Sequence, residues 1–137
     1  MRSLKVLIVE QNPARLLQLH QMLNACGVFG VRVAEDLNAA RHSLARQGAV
    51  DVLVLGSQLL PASSFFADLA GRGQATALAG GVIVQGPVGY TEPAEVVRRA
   101  RQAGLWVLGV LPWGQSICPL HNMLCRYRME TAEALIA

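Results

Sequence analysis

Leu4-Lys5-Val6-Leu7-Ile8-Val9-Glu10-Gln11-Asn12-Pro13, residues 4–13, is a short apolar run, broken once by Lys5, that stops abruptly at polar side chains. A run this short and without alternation reads as a strand buried on both faces. Asn12 then supplies an N-cap side chain. Pro13 stands at the first helical position, where its missing N–H leaves no bond unmade. Leu16, Leu19, Leu23 and Cys26 follow at helical spacing, and Gly27 ends the helix. Strand, cap and amphipathic helix in direct succession form the opening of a βαβ unit.

The same unit recurs downstream. Residues 31–34 read as a second strand, and Asp36 caps a second helix with Leu37, Ala40 and Leu44 on one face and Gly48 beyond it. Asp51 opens the most buried-looking strand, 52–55. Pro61 introduces a short helix over 63–70, and 71–81, rich in Gly and Ala, reads as a loop. A fourth strand at 82–84 leads into a Gly/Pro loop at 85–90. Thr91 or Glu92 caps a helix starting at Pro93, with Val96, Val97 and Ala100 inward and Arg98, Arg99 and Arg101 outward. A fifth strand covers 105–110. After Pro112 and Trp113, Ser116 caps a last helix with Ile117, Leu120, Leu124 and Tyr127 on one stripe. Five apolar strands alternating with five helices predict a three-layer, doubly wound α/β fold with a five-stranded parallel sheet. Its expected strand order is the flavodoxin-like 2-1-3-4-5.

The 137 residues fit one domain, placed at 1–128, with 129–137 as a helical extension of the last helix. Hydrophobic residues at 53% against 15% charged exclude a disordered tail. A net charge of +3 permits an acidic partner but is too diffuse for a nucleic-acid-binding face, so nucleic acid would be reached only through an output domain or partner. No apolar run is long enough to span a membrane, and the chain enters its first strand directly, so the cytoplasm is expected. Cys26, Cys118 and Cys125 are unpatterned. The last two lie two helical turns apart, about 10 Å, too far to bridge, and free thiols are expected.

In order and spacing these segments resemble the receiver domain of bacterial response regulators. Residues 5–13 are similar to the receiver's opening strand and its acidic pair. Asp51-Val52-Leu53-Val54-Leu55 resembles the strand that leads to the phosphoacceptor, and Leu59-Leu60-Pro61 the Met-Pro after it. Ala103-Gly104-Leu105 through Leu111-Pro112-Trp113 is similar to the Ala-Gly-Ala…Lys-Pro-Phe segment. The resemblance implies a signalling module in which Asp takes up phosphate beside Mg²⁺, with a Thr or Ser and a Lys on the phosphoryl group. It also implies a cis peptide bond before Pro112.

Every chemical position departs from that pattern. The acidic pair is Glu10 and Gln11. The nucleophile position is Gly56 counted from Asp51, or Ser57 counted back from Pro61. The Thr/Ser position is Gln85, the Lys position Leu111, and the aromatic switch position Leu108. Hard oxygens for Mg²⁺, a carboxylate to phosphorylate and a cation against the new charge are all missing. The expectation is a framework kept without the reaction: not an enzyme, with no catalytic set, no cofactor and no metal.

Other constellations read plainly. His20, His42 and His121 sit on three predicted helices, without a ligand-type residue four positions away, and read as solvated helix-face side chains. Gly71-Arg72-Gly73 follows a helix rather than a strand, unlike a dinucleotide fingerprint. Ser57, Ser63 and Ser64 lack a base or a nucleophile elbow. Trp106 and Trp113 read as strand and core-rim residues.

The expected function is therefore a phosphorylation-independent pseudo-receiver that works by protein–protein contact with an effector domain, a kinase or another signalling protein. The alternative is a small-ligand sensor using the altered pocket at the carboxyl ends of the strands. In receivers the last two helices and the strand between them make the usual contact. Arg98, Arg99, Arg101 and Arg126 are the candidate interface here, with Arg128, Glu130 and Glu133 nearby. Leu135 and Ile136 prolong an apolar edge that a homodimer or a partner would bury.

Overall fold

Each apolar run becomes one strand of a single parallel sheet in a computed structural model. The structure describes residues 3–56, 63–71, 77–87, 91–114 and 117–136, without the side chains at 63–64 and 133–136. The elements run β1 (Lys5–Val9), α1 (Pro13–Ala25), β2 (Gly30–Ala34), α2 (Leu37–Gln47), β3 (Val50–Gly56), α3 (Ser63–Leu69), β4 (Ala79–Gly86), α4 (Thr91–Gln102), β5 (Val107–Pro112) and α5 (Ile117–Ile136). The sheet order is β2-β1-β3-β4-β5, the expected one. Helices cover both faces, and the two cores divide accordingly. Leu7, Val9, Leu53, Leu55, Val82 and Val84 pack under α2, α3 and α4 with Phe66, Val96 and Ala100. Val6, Ile8, Val52, Val54 and Ile83 pack under α1 and α5 with Leu19, Leu23, Leu120 and Leu124. Period-2 side-chain direction makes both halves of each strand apolar, which is why the strands read as unbroken runs.

The caps of α1 and α2 act as the sequence predicts. The start of α4 differs: it already begins at Thr91, so Thr91 and Glu92 lie in its first turn and do not cap a helix starting at Pro93. Asn12 Oδ1 accepts from the N–H groups of Ala14 (3.0 Å) and Arg15 (3.2 Å), with Pro13 next in the helix. Asp36 Oδ1 accepts from Ala39 N–H at 2.7 Å. Asn12→Ala is expected to cost about 1 kcal/mol in urea unfolding, since two orphan donors lose their acceptor. A loss below about 0.3 kcal/mol would show that water replaces the cap there at no cost.

Three further expectations need correction. The fourth strand is longer at both ends than expected: Ala79, Gly80 and Gly81 already belong to β4, with Ala79 paired to Val50 and Gly81 to Val52. Gln85 and Gly86, read as loop, continue it beside Leu111 and Pro112. The fifth strand is shifted to Val107–Pro112, and a bulge skips Leu108 between the Val82–Val107 and Ile83–Gly109 pairs. The implied cis bond before Pro112 is absent, and β5 runs through Leu111 and Pro112 in register with Gln85 and Gly86. Pro61, Ser116 and the loop glycine Gly73 lie outside the described residues. The last helix continues to Ile136 as one helix. Among the described residues no helix is long and apolar enough to cross a membrane.

Candidate functional site

Glu10, Gly56, Gln85 and Leu111 stand side by side at the carboxyl ends of the strands. Val9 pairs with Leu55, so the next residues, Glu10 and Gly56, are neighbours; Gly56 pairs with Gln85, and Gln85 with Leu111. All four continue the rows that face α1 and α5. The bulge at Gly109 explains how Leu108 and Leu111, three apart, share that face.

The row is filled from within. Glu10 is 2% exposed, and its carboxylate lies where a side chain on residue 56 would begin. A Cβ built on Gly56 would be 3.1 Å from Glu10 Oε2 and 3.2 Å from Oε1. Glu10 Oε2 also accepts from Asn12 N–H at 3.3 Å, so the same turn that caps α1 holds the carboxylate inward. Gln85 is buried, and its Oε1 has no hydrogen-bond partner among the described residues. Leu111 is buried and apolar. Gln11 is exposed and neutral. Ser57, the other candidate for the nucleophile position, lies outside the described residues.

This donor set does not fit Mg²⁺. The ion needs a nearly octahedral oxygen shell, with one or two carboxylates replacing tightly held water. The row has one carboxylate, Glu10, and it is already turned over Gly56. Asp51, the nearest acidic residue along β3, sits at the opposite end of that strand. It accepts from Lys5 N–H at 2.8 Å and from Tyr127 Oη at 3.4 Å. Nor does the row, from Glu10 to Leu111, offer a cation.

The residue expected at the switch position is also enclosed. Leu108 is buried and rests against Gly81, where a Cβ would be 3.3 Å from its Cδ1. Trp106 stacks on Tyr127 with ring centroids 5.3 Å apart. Trp113 carries the Arg15 guanidinium 3.6 Å from its ring centroid, joining the start of α1 to the end of β5.

The candidate interface residues do not form one set. Arg98 and Arg101 are exposed on α4. Glu95 accepts from Arg98 Nε and Arg99 Nε, each at 3.0 Å, and from Arg98 Nη2. These hydrogen bonds hold the Glu95 carboxyl below its usual range and raise the Arg98 guanidinium above its own. Arg126 turns back to donate to the Leu108 carbonyl. Arg128 is half-buried, its Nε without a partner among the described residues, and its charge reaches Cys26, the C-cap of α1. Leu135 and Ile136 are on α5, but their side chains lie outside the described residues.

Sequence reading missed two features here. His121 does have a ligand-type residue one turn on: its Nε2 is 3.4 Å from Cys125 Sγ. The i, i+4 spacing was the available signal. Among the described residues no three His, Cys, Asp or Glu side chains gather as a metal site. Burial, first, and the nearby Cys125, second, raise the Cys26 thiol above its ordinary value. The second feature is an open groove of about 710 Å³ between α4 and β5, lined by Ala94, Val97, Arg98, Arg101, Val107 and Val110. Only the sheet order, which makes β5 an edge strand, brings these segments together.

No family model matches the chain, and no curated protein matches it. Solved structures do. The signal receiver domain of an HD domain-containing protein from Pseudomonas fluorescens Pf-5 superposes with TM-score 0.72 at 17% identity, over 96% of this chain and 99% of that one. The receiver domain of a sensor histidine kinase from Pseudomonas aeruginosa PAO1, with magnesium coordinated in its active-site cleft, gives 0.70 at 22% identity over 92% and 98%. The N-terminal domain of a response regulator/sensory box/GGDEF three-domain protein from Carboxydothermus hydrogenoformans gives 0.69 at 20% identity over 97% and 99%. This chain has the fold of response-regulator receiver domains.

Proposed function

We propose that the chain is a pseudo-receiver, a signal-transduction module that acts by protein contact and takes up no phosphate. Its receiver fold supports the signalling assignment. One observation carries the rest: the only carboxylate in the row at the strand ends, Glu10, lies over Gly56, in the space from which a phosphoacceptor side chain would grow. Gln11, Gln85 and Leu111 then stand at the positions for the second metal ligand, the hydroxyl and the countercharge. Gly56, Gln85 and Leu111 offer no carboxylate to phosphorylate and no cation to neutralise the product, and Glu10 alone is a poor site for the ion.

The module is read as non-enzymatic and cytoplasmic. Its partner is another signalling protein, an effector domain or a kinase. The receiver domains it resembles come, by their descriptions, from proteins that also hold an HD domain, a histidine kinase or a GGDEF segment. Contact would run through α4, β5 and α5.

Incubation with acetyl phosphate and Mg²⁺ is expected to leave the intact mass unchanged. A stoichiometric, base-labile phosphoryl adduct would overturn the pseudo-receiver reading.

One observation favours a second reading, a small-ligand sensor. Among the described residues Gln85 Oε1 is a buried acceptor without a partner, and such groups are costly unless a ligand or water supplies the donor. A thermal-shift screen of nucleotides and metabolites separates the two. A rise of several degrees with one compound, lost in Gln85→Leu, would support the sensor.

A further inference from the structure

We propose that Cys125 is a peroxide-reactive thiol and that Cys26 closes on it as a disulfide, tying the end of α1 to α5. The site lies at the far end of α1 from the strand-end row. It goes beyond the protein-contact reading and stands or falls separately from it.

Topology puts the two cysteines side by side. α1 and α5 cover the same face of the sheet and, each following a parallel strand, run in the same direction. Arg15 near the start of α1 covers Trp113, just before α5. Leu19 and Leu23 share one core with Leu120 and Leu124. Cys26, three residues after Leu23, packs on that core, and Cys125 follows Leu124. After burial, which has the larger effect, the charge of Cys125 acts on the Cys26 thiol, so the two groups are near neighbours. Cys26 stands at the C-cap of α1, where the last turn can shift to bring the sulfurs to bonding distance.

The two thiols are placed for different roles. Cys125 Sγ is 3.4 Å from His121 Nε2, one turn earlier on α5, so a proton acceptor stands beside it. Cys125 is half-buried and His121 exposed, which leaves a path for a small oxidant. Cys26 is kept as the neutral thiol by its burial. Arg128, three residues beyond Cys125, completes the group. Its charge reaches Cys26, and its buried Nε has no acceptor among the described residues. A donor in that state is costly, and an oxygen carried on either sulfur would satisfy it.

The chemistry is a two-electron oxidation by hydrogen peroxide. Cys125 gives its proton to His121, and the thiolate attacks one peroxide oxygen. The O–O bond breaks, and the departing hydroxide takes the proton from His121 and leaves as water. Cys125 now carries S–OH. Cys26 attacks that sulfur, the S–O bond breaks, and the OH leaves with the Cys26 proton as a second water. Two thiols are oxidised to one disulfide while one peroxide is reduced to two waters.

The test treats the reduced protein with a slight excess of hydrogen peroxide. The intact mass is expected to fall by two hydrogens, with the Cys26 and Cys125 tryptic peptides joined, and dithiothreitol should restore it. Closing so long a loop should raise Tm by at least about 5 °C. In Cys26→Ser, Cys125 should instead gain one oxygen that dimedone traps. His121→Gln, a change at an exposed position, should slow the oxidation at least about fivefold. Cys118→Ser should leave both rate and product as in the parent protein.

An unchanged mass, oxidation confined to Cys118, or a disulfide joining two molecules would overturn the inference. So would oxidation of Cys125→Ser or of His121→Gln at the parent rate.

Discussion

Replacing Gly56 with aspartate, which on paper restores the receiver's nucleophile, is expected to destabilise the protein and leave it unphosphorylated. Sterically the change is tolerable, because the new Cβ would meet only the end of the Glu10 side chain, at 3.1–3.3 Å. Electrostatics decides the outcome. Glu10 is buried, and a second carboxylate would arrive a few ångströms away; at about 4 Å two like charges repel by roughly 4 kcal/mol for an effective dielectric near 20. Protonating one partner relieves part of this.

The expected loss is therefore about 2–4 kcal/mol at pH 7 by urea unfolding, with a fall of roughly 3 °C in Tm for each kcal/mol. Repulsion raises the folded-state pKa of the pair, so the folded variant binds a proton more tightly than its unfolded chain. The deficit relative to wild type should accordingly shrink as pH falls through the carboxylate range. Glu10→Gln in the same background should recover at least half of it. A Gly56→Asp protein as stable as wild type would mean that Glu10 does not fill this space.

Gly80→Ala should be as damaging for a different reason. A Cβ there would collide with Tyr127 Oη and stand 3.0 Å from the Asp51 carbonyl oxygen. The backbone contact cannot be relieved by rotating a side chain. The tyrosine is held by its stack on Trp106 and by its hydrogen bond to Asp51. Overpacking of this kind costs about 1–3 kcal/mol, and loss of the ring's position adds to it. Tyr127→Phe removes the atom that collides. The double variant should therefore be more stable than the sum of the two single losses, by about 1 kcal/mol in a double-mutant cycle. Strict additivity would show that the hydroxyl is not what forbids a side chain at residue 80.

The two variants probe opposite ends of β3. At its start, Asp51 accepts from Lys5 N–H and Tyr127 Oη, tying β1, β3 and α5 together. At its end, Gly56 yields its space to Glu10. Neither arrangement depends on phosphate, which is consistent with the proposed module having one resting state.

The layered fold was legible because its signals are local. Asn12-Pro13 and Asp36 mark helix starts by hydrogen bonds to groups two or three residues away. Residues 6–9 and 52–55 are apolar at every position because helices cover both faces, and that burial pattern is written directly into residue type. The proposed loss of nucleophile and countercharge also rests on residue type alone, since Gly56, Ser57 and Leu111 carry neither a carboxylate nor an ammonium.

What tertiary structure alone decided depends on partners far away in the chain. Ala79, Gly80 and Gly81 have little strand propensity, and they lie in β4 because β3 pairs with them and because Tyr127 and Leu108 occupy the space their side chains would take. The bulge at Gly109, which brings Leu108 and Leu111 onto one face, follows from the pairing of β5 with β4. The turn of Glu10 over Gly56 joins residues 46 positions apart, and the groove exists because β5 is the edge of the sheet beside α4. Caps and periodicity act within a turn or two of helix or strand, so the sequence specifies them by itself. The filling of a pocket and the shape of an edge are set by which distant side chain arrives first at a shared space, and only the packed sheet settles that.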